Sequence, residues 1–137
     1  MSLLKVSLMQ EDEIHYDIVF DTVTLDIVEY TPRVSFSPVW RLPLDANHRF
    51  PAGFFGVLLS QFTFEPGRVD INDILEYLGI GRHNYNTLEL VRRCRGVMAN
   101  TLSLWFWFHD TPKPSYRQVI SETYALWGGY KEWQNSR

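Results

Sequence analysis

The stretch Leu102–Asp110, "LSLWFWFHD", sets four aromatic residues in a row, Trp105 to Phe108. Taken with a period of two it is a strand. Leu102, Leu104, Phe106 and Phe108 share one face, and Ser103, Trp105, Trp107 and His109 share the other. A strand apolar on both faces belongs inside a sheet that is covered on both sides. On that reading the C-terminal helix covers Trp105 and Trp107. The competing reading places both indoles in an exposed patch with Trp127, Tyr130 and Trp133, a surface for a protein partner or a stacked base. Both readings are compatible with the residues.

The first third alternates in the same way. "LLKVSLM" (3–9) puts Leu4, Val6 and Leu8 on one face. "IHYDIVF" (14–20) turns Ile14, Tyr16, Ile18 and Phe20 one way, and His15 and Asp17 the other, with Asp21 following. "VTLDIVEY" (23–30) groups Val23, Leu25 and Ile27. These predict an antiparallel meander with turns at 10–13 and 21–22 and an acidic, solvent-facing outer side. Residues 31–51 hold four prolines, so helix and central strand are disfavoured there, and an apolar, extended path along the body is expected.

Four helices follow from spacing and caps. Pro51 opens a buried helix over 51–62, and "EPGR" (65–68) is a turn. In "DINDILEYLGIG" (70–81), Asp70 caps, Ile71, Ile74, Leu75 and Leu78 form the stripe, and Gly79 stops. In "NTLELVRRCRG" (86–96), Asn86 and Glu89 resemble a capping box and Gly96 ends the helix; Leu88, Val91 and Cys94 face inward. "SYRQVISETYALW" (115–127) starts at Ser115, carries Tyr116, Val119, Ile120, Tyr124 and Trp127 on one stripe, and is expected to end at Gly128–Gly129, leaving "YKEWQNSR" as a tail. The expected fold is α+β over a single domain, 1–137. Its parts are the N-terminal meander, one aromatic strand, and three or four packed helices.

Composition narrows the function classes. The chain has 137 residues, 45% apolar, 21% charged and 15% aromatic, in the globular range but rich in aromatics. One cysteine, Cys94, allows no internal disulfide, and neither a signal pattern nor a spanning apolar run is visible. A cytoplasmic protein without membrane partners is expected. Net charge is −3, unevenly spread. Residues 1–32 carry Glu11, Asp12, Glu13, Asp17, Asp21, Asp26 and Glu29 against Lys5, a net −6, leaving +3 for the rest. Such an acidic front steers partners electrostatically.

Reactive chemistry is sparse. His15, His48, His83 and His109 lack metal-ligand spacing, so no metal is expected, and each reads as a surface residue. Gly79-Ile80-Gly81 follows a helix and lacks the rest of a phosphate loop. No cofactor is implied. Cys94 lies beside Arg93 and Arg95 but has no base and faces inward. Ser103 and Ser115 sit in no nucleophile turn. Asp73 and Glu76 read as a solvated helix side. Arg92, Arg93 and Arg95 are candidate nucleic-acid contacts, though a basic last helical turn complements the helix dipole equally well.

Residues 66–80, "PGRVDINDILEYLGI", and 84–108, "NYNTLELVRRCRGVMANTLSLWFWF", resemble a segment found upstream of HipA-like serine/threonine kinase domains in Firmicutes and their mobile elements. The shared pattern is a Pro–Arg turn, a helix ending in Leu-Gly-Ile, a helix ending in Gly, and a strand with Trp. "HYDIVFDTVTLDIVEY" (15–30) resembles the hairpin that opens such proteins. The resemblance spans about residues 1–108 and implies the accessory module alone, because no kinase nucleotide loop, catalytic Asp or metal-binding Asp is matched. The expected function is a non-catalytic protein-interaction and regulatory module from a bacterial or phage mobile element. Its partner would be another protein, such as a kinase or a defence nuclease, and a homo-oligomer is allowed. One alternative is a phage anti-defence inhibitor whose acidic set Glu11, Asp12, Glu13, Asp17, Asp21 and Asp26 blocks a basic channel. Another is an RNA- or DNA-binding regulator.

Overall fold

The computed structural model describes residues 2–34, 50–60, 71–80, 86–95, 97 and 104–136. The alternating residues of the first third form β1 (Leu3–Gln10), β2 (Glu13–Asp21) and β3 (Ile27–Pro32), and the aromatic stretch forms β4 (Leu104–Phe108). Every pairing is antiparallel, in the order β3-β2-β1-β4. The last strand therefore returns to the first, with Val6 opposite Phe108 and Leu8 opposite Phe106. With α1 (Phe54–Ser60), α2 (Ile71–Tyr77), α3 (Thr87–Cys94) and α4 (Tyr116–Asn135), the described residues make an α+β fold. Most of the proline-rich stretch, the 65–68 turn, the Asp70 cap, Gly96, His48 and His83 lie outside the described residues.

The first sheet face is apolar, and two helices cover it. Val6, Leu8, Ile18, Phe20, Phe106 and Phe108 pack on Phe55, Leu58 and Leu59 of α1 and Val91 of α3. Phe20 and Phe55 lie 4.1 Å apart between ring centroids. The second face is covered at one end by the N-terminal half of α4, where Met9 and Trp105 bury against Val119, with Ile14, Tyr116 and Ile120 beside them. The C-terminal half of α4 leaves the sheet and packs on α2, grouping Tyr130, Trp127 and Trp133 with Tyr77, Ile74 and Leu75.

Local chemistry explains where the sequence reading needs correction. The third strand starts at Ile27, not Val23. The Asp21 carboxylate accepts from the amides of Val23 and Thr24, at 2.8 and 3.1 Å, and closes a turn instead. Val23 is left 82% exposed. Leu25 takes a left-handed φ of 60° in that turn. The register slips between Leu8 and Met9, which pairs Met9 with Ile14 and leaves His15 as the extra residue. Ile14 thereby joins Met9 and Trp105, not Tyr16 and Ile18. On the outer side of the hairpin, His15, Asp17 and Asp21 are buried, not solvated. α3 ends at Cys94, and Arg95, with a φ of 54°, supplies the left-handed cap expected of Gly96. Gly128–Gly129 do not stop α4, which runs on through "YKEWQN". The reason lies at Gly129, where a Cβ would stand 2.5 Å from the Tyr77 hydroxyl oxygen. Glycine is there for close approach to α2.

Candidate functional site

Among the described residues no helix covers the other end of the second face, and that end is polar. Register sets Thr31, Asp17, Ser7 and Trp107 side by side across all four strands. His109 follows β4, and its backbone N–H donates to the Lys5 carbonyl at 2.9 Å. Arg33 follows β3. Ser7 is wholly buried. Its hydroxyl donates to Asp17 Oδ1 at 2.5 Å, and Arg33 Nε donates to Asp17 Oδ2 at 2.5 Å. His109 Nε2 lies 2.7 Å from Ser7 Oγ. A serine hydroxyl has one hydrogen to donate, and here it is donated to the carboxylate, so Oγ accepts from His109 Nε2–H. Neutral His109 is then the Nε2–H tautomer.

Electrostatics agree with that assignment. Burial pushes the Asp17 carboxyl up, but the hydrogen bonds from Ser7 and Arg33 and the charges of Lys5 and Arg33 outweigh it and hold it below the usual range. Burial pushes His109 down, helped by Lys5 and opposed by Asp17. Serine, histidine and aspartate are the residue types of acyl transfer, but that chemistry needs the histidine between the other two. Here the serine stands between them, inaccessible, with its hydroxyl donating a hydrogen bond to the Asp17 carboxylate. The cluster can lock four strands together; it cannot present a nucleophile.

The predicted aromatic patch divides in two. Trp105 is fully buried, and its indole donates to the Glu11 carbonyl at 2.8 Å. Tyr130 is buried, and Trp127 and Trp133 pack with it against α2. Tyr77 and Tyr130 lie 5.4 Å apart between centroids. Trp105 and Tyr130 are core and Trp127 and Trp133 are partly buried beside Tyr130, because α4 has an apolar layer to bury at each end. Trp107 stays half-buried at the polar end of the sheet. His109 stacks on it at 3.8 Å, the Lys113 ammonium lies 5.7 Å from its ring, and its N–H donates to the Thr111 carbonyl.

The acidic set divides as well. Glu11, Asp12 and Glu13 are exposed at the β1–β2 tip, where Asp12 accepts from the Tyr116 amide at the start of α4. Asp17 and Asp21 turn inward, and Asp26 accepts from the Gly53 amide ahead of α1. The six carboxylates therefore make no common surface.

The arginines come together but are paired. Arg92 meets Asp110 at 2.6 Å, Arg93 meets Glu89 at 2.9 Å, and Arg95 meets Glu122 at 3.3 Å. Between them lies a cavity of about 190 Å³, also lined by Phe108 and Thr111. Arg92 Nη1 is buried without a hydrogen-bond partner, but its guanidinium lies over the Phe108 ring, 4.8 Å from the centroid. The π face serves that N–H. The arginines tie the end of α3 to the β4–α4 connection and to α4. Cys94, beside them, is buried, and burial pushes its thiol up to about 12 against the pull of Arg93. It is inert.

Among the described residues no three His, Cys, Asp or Glu side chains are placed to hold a metal, and no helix is long and apolar enough to cross a membrane. No family model matches the chain, and neither curated proteins nor solved structures give a significant match. Sequence reasoning missed Ser7, Arg33, Lys5 and Lys113. The available signal was Ser7 and Asp17 within two alternating strands; their meeting depends on register, which alternation does not fix.

Proposed function

We propose that the chain is a non-catalytic module that binds and regulates a partner protein. The supporting observation is the closure of the Ser7–Asp17–His109 cluster, the one set of acyl-transfer residue types that the described fold brings together. Its hydroxyl is buried and its hydrogen bonds are spent internally. Paired arginines weigh against a nucleic-acid groove. Buried Asp17 and Asp21, and Asp26 engaged by the Gly53 amide, weigh against an acidic phosphate mimic. The resemblance to a kinase-associated module makes a toxin-like kinase of a mobile element the first partner to test, with a defence nuclease next. One buried, inert cysteine suits a cytoplasmic setting.

The test is affinity capture from a bacterial lysate at low and high salt, with identification of what is retained. A single protein recovered in stoichiometric amount supports the reading. Hydrolysis of p-nitrophenyl acetate by the purified chain, abolished in Ser7→Ala, overturns it.

A further inference from the structure

We infer that the polar end of the second sheet face, where Lys5, Arg33 and Lys113 are exposed around half-buried Trp107, is the docking surface, and that it takes an acidic segment of a partner protein. This rests on the partner-binding reading and adds the place and the chemistry. The surface sorts its charges by depth. Lys5 and Lys113 are exposed, and the Arg33 side chain is 52% exposed. Asp17, beneath them, is 7% exposed, and both its oxygens are engaged. Asp21, at the end of the same face, is buried and spent on its own turn. Glu29 is the exposed carboxylate of the next row, opposite Val19 and two strands, about 10 Å, from Lys5. An incoming chain therefore meets cations first, in a protein that is acidic overall.

Trp107 decides between an acidic peptide and a nucleic acid. A stacking platform needs an open ring face. His109 covers Trp107 at 3.8 Å, and Lys113 lies over the ring. The ring is thus already engaged by neighbours within the fold. A base would have to compete with His109 and Lys113 for the ring, whereas carboxylates can pair with the exposed Lys5, Arg33 and Lys113 without displacing His109.

The experiment is an amide and indole NMR titration of the full chain at low salt with three probes: an octaglutamate peptide, an octalysine peptide and a ten-residue oligothymidylate. Octaglutamate is expected to move the signals of Lys5, Trp107, His109 and Lys113 saturably, and octalysine to leave them in place. Lys5→Glu/Lys113→Glu should weaken octaglutamate binding at least tenfold. Lys113 is exposed, but the Lys5 charge also helps to hold the Asp17 carboxylate, so the melting temperature of the double variant is checked; if it falls, Lys113→Gln alone should still weaken binding severalfold. The inference is overturned if octaglutamate moves nothing, if it maps to Arg92, Arg93 and Arg95, or if oligothymidylate binds this face more tightly. Those results leave the partner-binding reading standing, since capture of a protein through another surface tests it separately.

Discussion

Ser7 and His109 stand 102 positions apart in sequence and 2.7 Å apart at Oγ and Nε2. The contact exists because β4 pairs with β1 in a register that sets Ser7 opposite Trp107, two residues before His109. Replacing Ser7 with alanine leaves buried Asp17 Oδ1 short of a donor and His109 Nε2–H short of an acceptor. An unsatisfied buried polar group costs about 1–3 kcal/mol. Urea unfolding of Ser7→Ala at pH 7 should show a lower midpoint with an unchanged slope. An unchanged midpoint would mean that the cluster does not hold the strands.

Acidification should weaken the fold in two steps. His109 in the fold titrates below its ordinary 6.5, so the unfolded chain takes up the proton first. Its contribution is complete above 6.5 and shrinks as pH falls below that value. Asp17 in the fold also titrates below its ordinary 3.8, so its contribution is complete above that value and is lost as pH falls through the folded carboxyl. Melting temperature measured from pH 8 to pH 3 should fall gently below 6.5 and more steeply near and below 4. His109→Gln should remove the upper step and keep the lower one. An upper step that persists in this variant assigns it to another group.

The two glycines of α4 should respond with opposite signs. A Cβ on Gly128 meets nothing within 4 Å, whereas one on Gly129 meets the Tyr77 hydroxyl oxygen at 2.5 Å. Tyr77 has little room to retreat. It donates to the Leu126 carbonyl at 3.0 Å and packs against Tyr130 and Trp133. Gly128→Ala should stabilise by about 0.5–1 kcal/mol through helix propensity. Gly129→Ala should destabilise by about 1–3 kcal/mol through overpacking. Thermal melts of the two variants decide the matter, and equal shifts would sink the account of why α4 continues.

The same helix shows where sequence reading stops. Gly128–Gly129 look like a stop because local propensity is all that a window of sequence contains, yet packing on α2 overrides it. Ser115 was legible as a cap because its contact is local, to the Gln118 amide three residues on. β1, β2 and β4 were legible because alternation is local too. The fate of Asp17 was not. The same alternation suits a solvated carboxylate and one buried under Arg33, and only the register of three strands separates them.

The aromatic strand carries the sharpest stability test. Phe106 is buried in the first-face core against Phe55, and Trp105 is buried in the second, so the two neighbours serve different layers. Phe106→Ala should cost about 3–5 kcal/mol, as large-to-small changes in a tight core do. Trp105→Phe keeps most of the apolar contact and removes the indole N–H from the Glu11 carbonyl, which should cost about 1 kcal/mol. Equilibrium denaturation of both variants checks the ranking. A near-neutral Phe106→Ala would mean that β4 is not central to the core, and with that the pairing of the last strand with the first would fail.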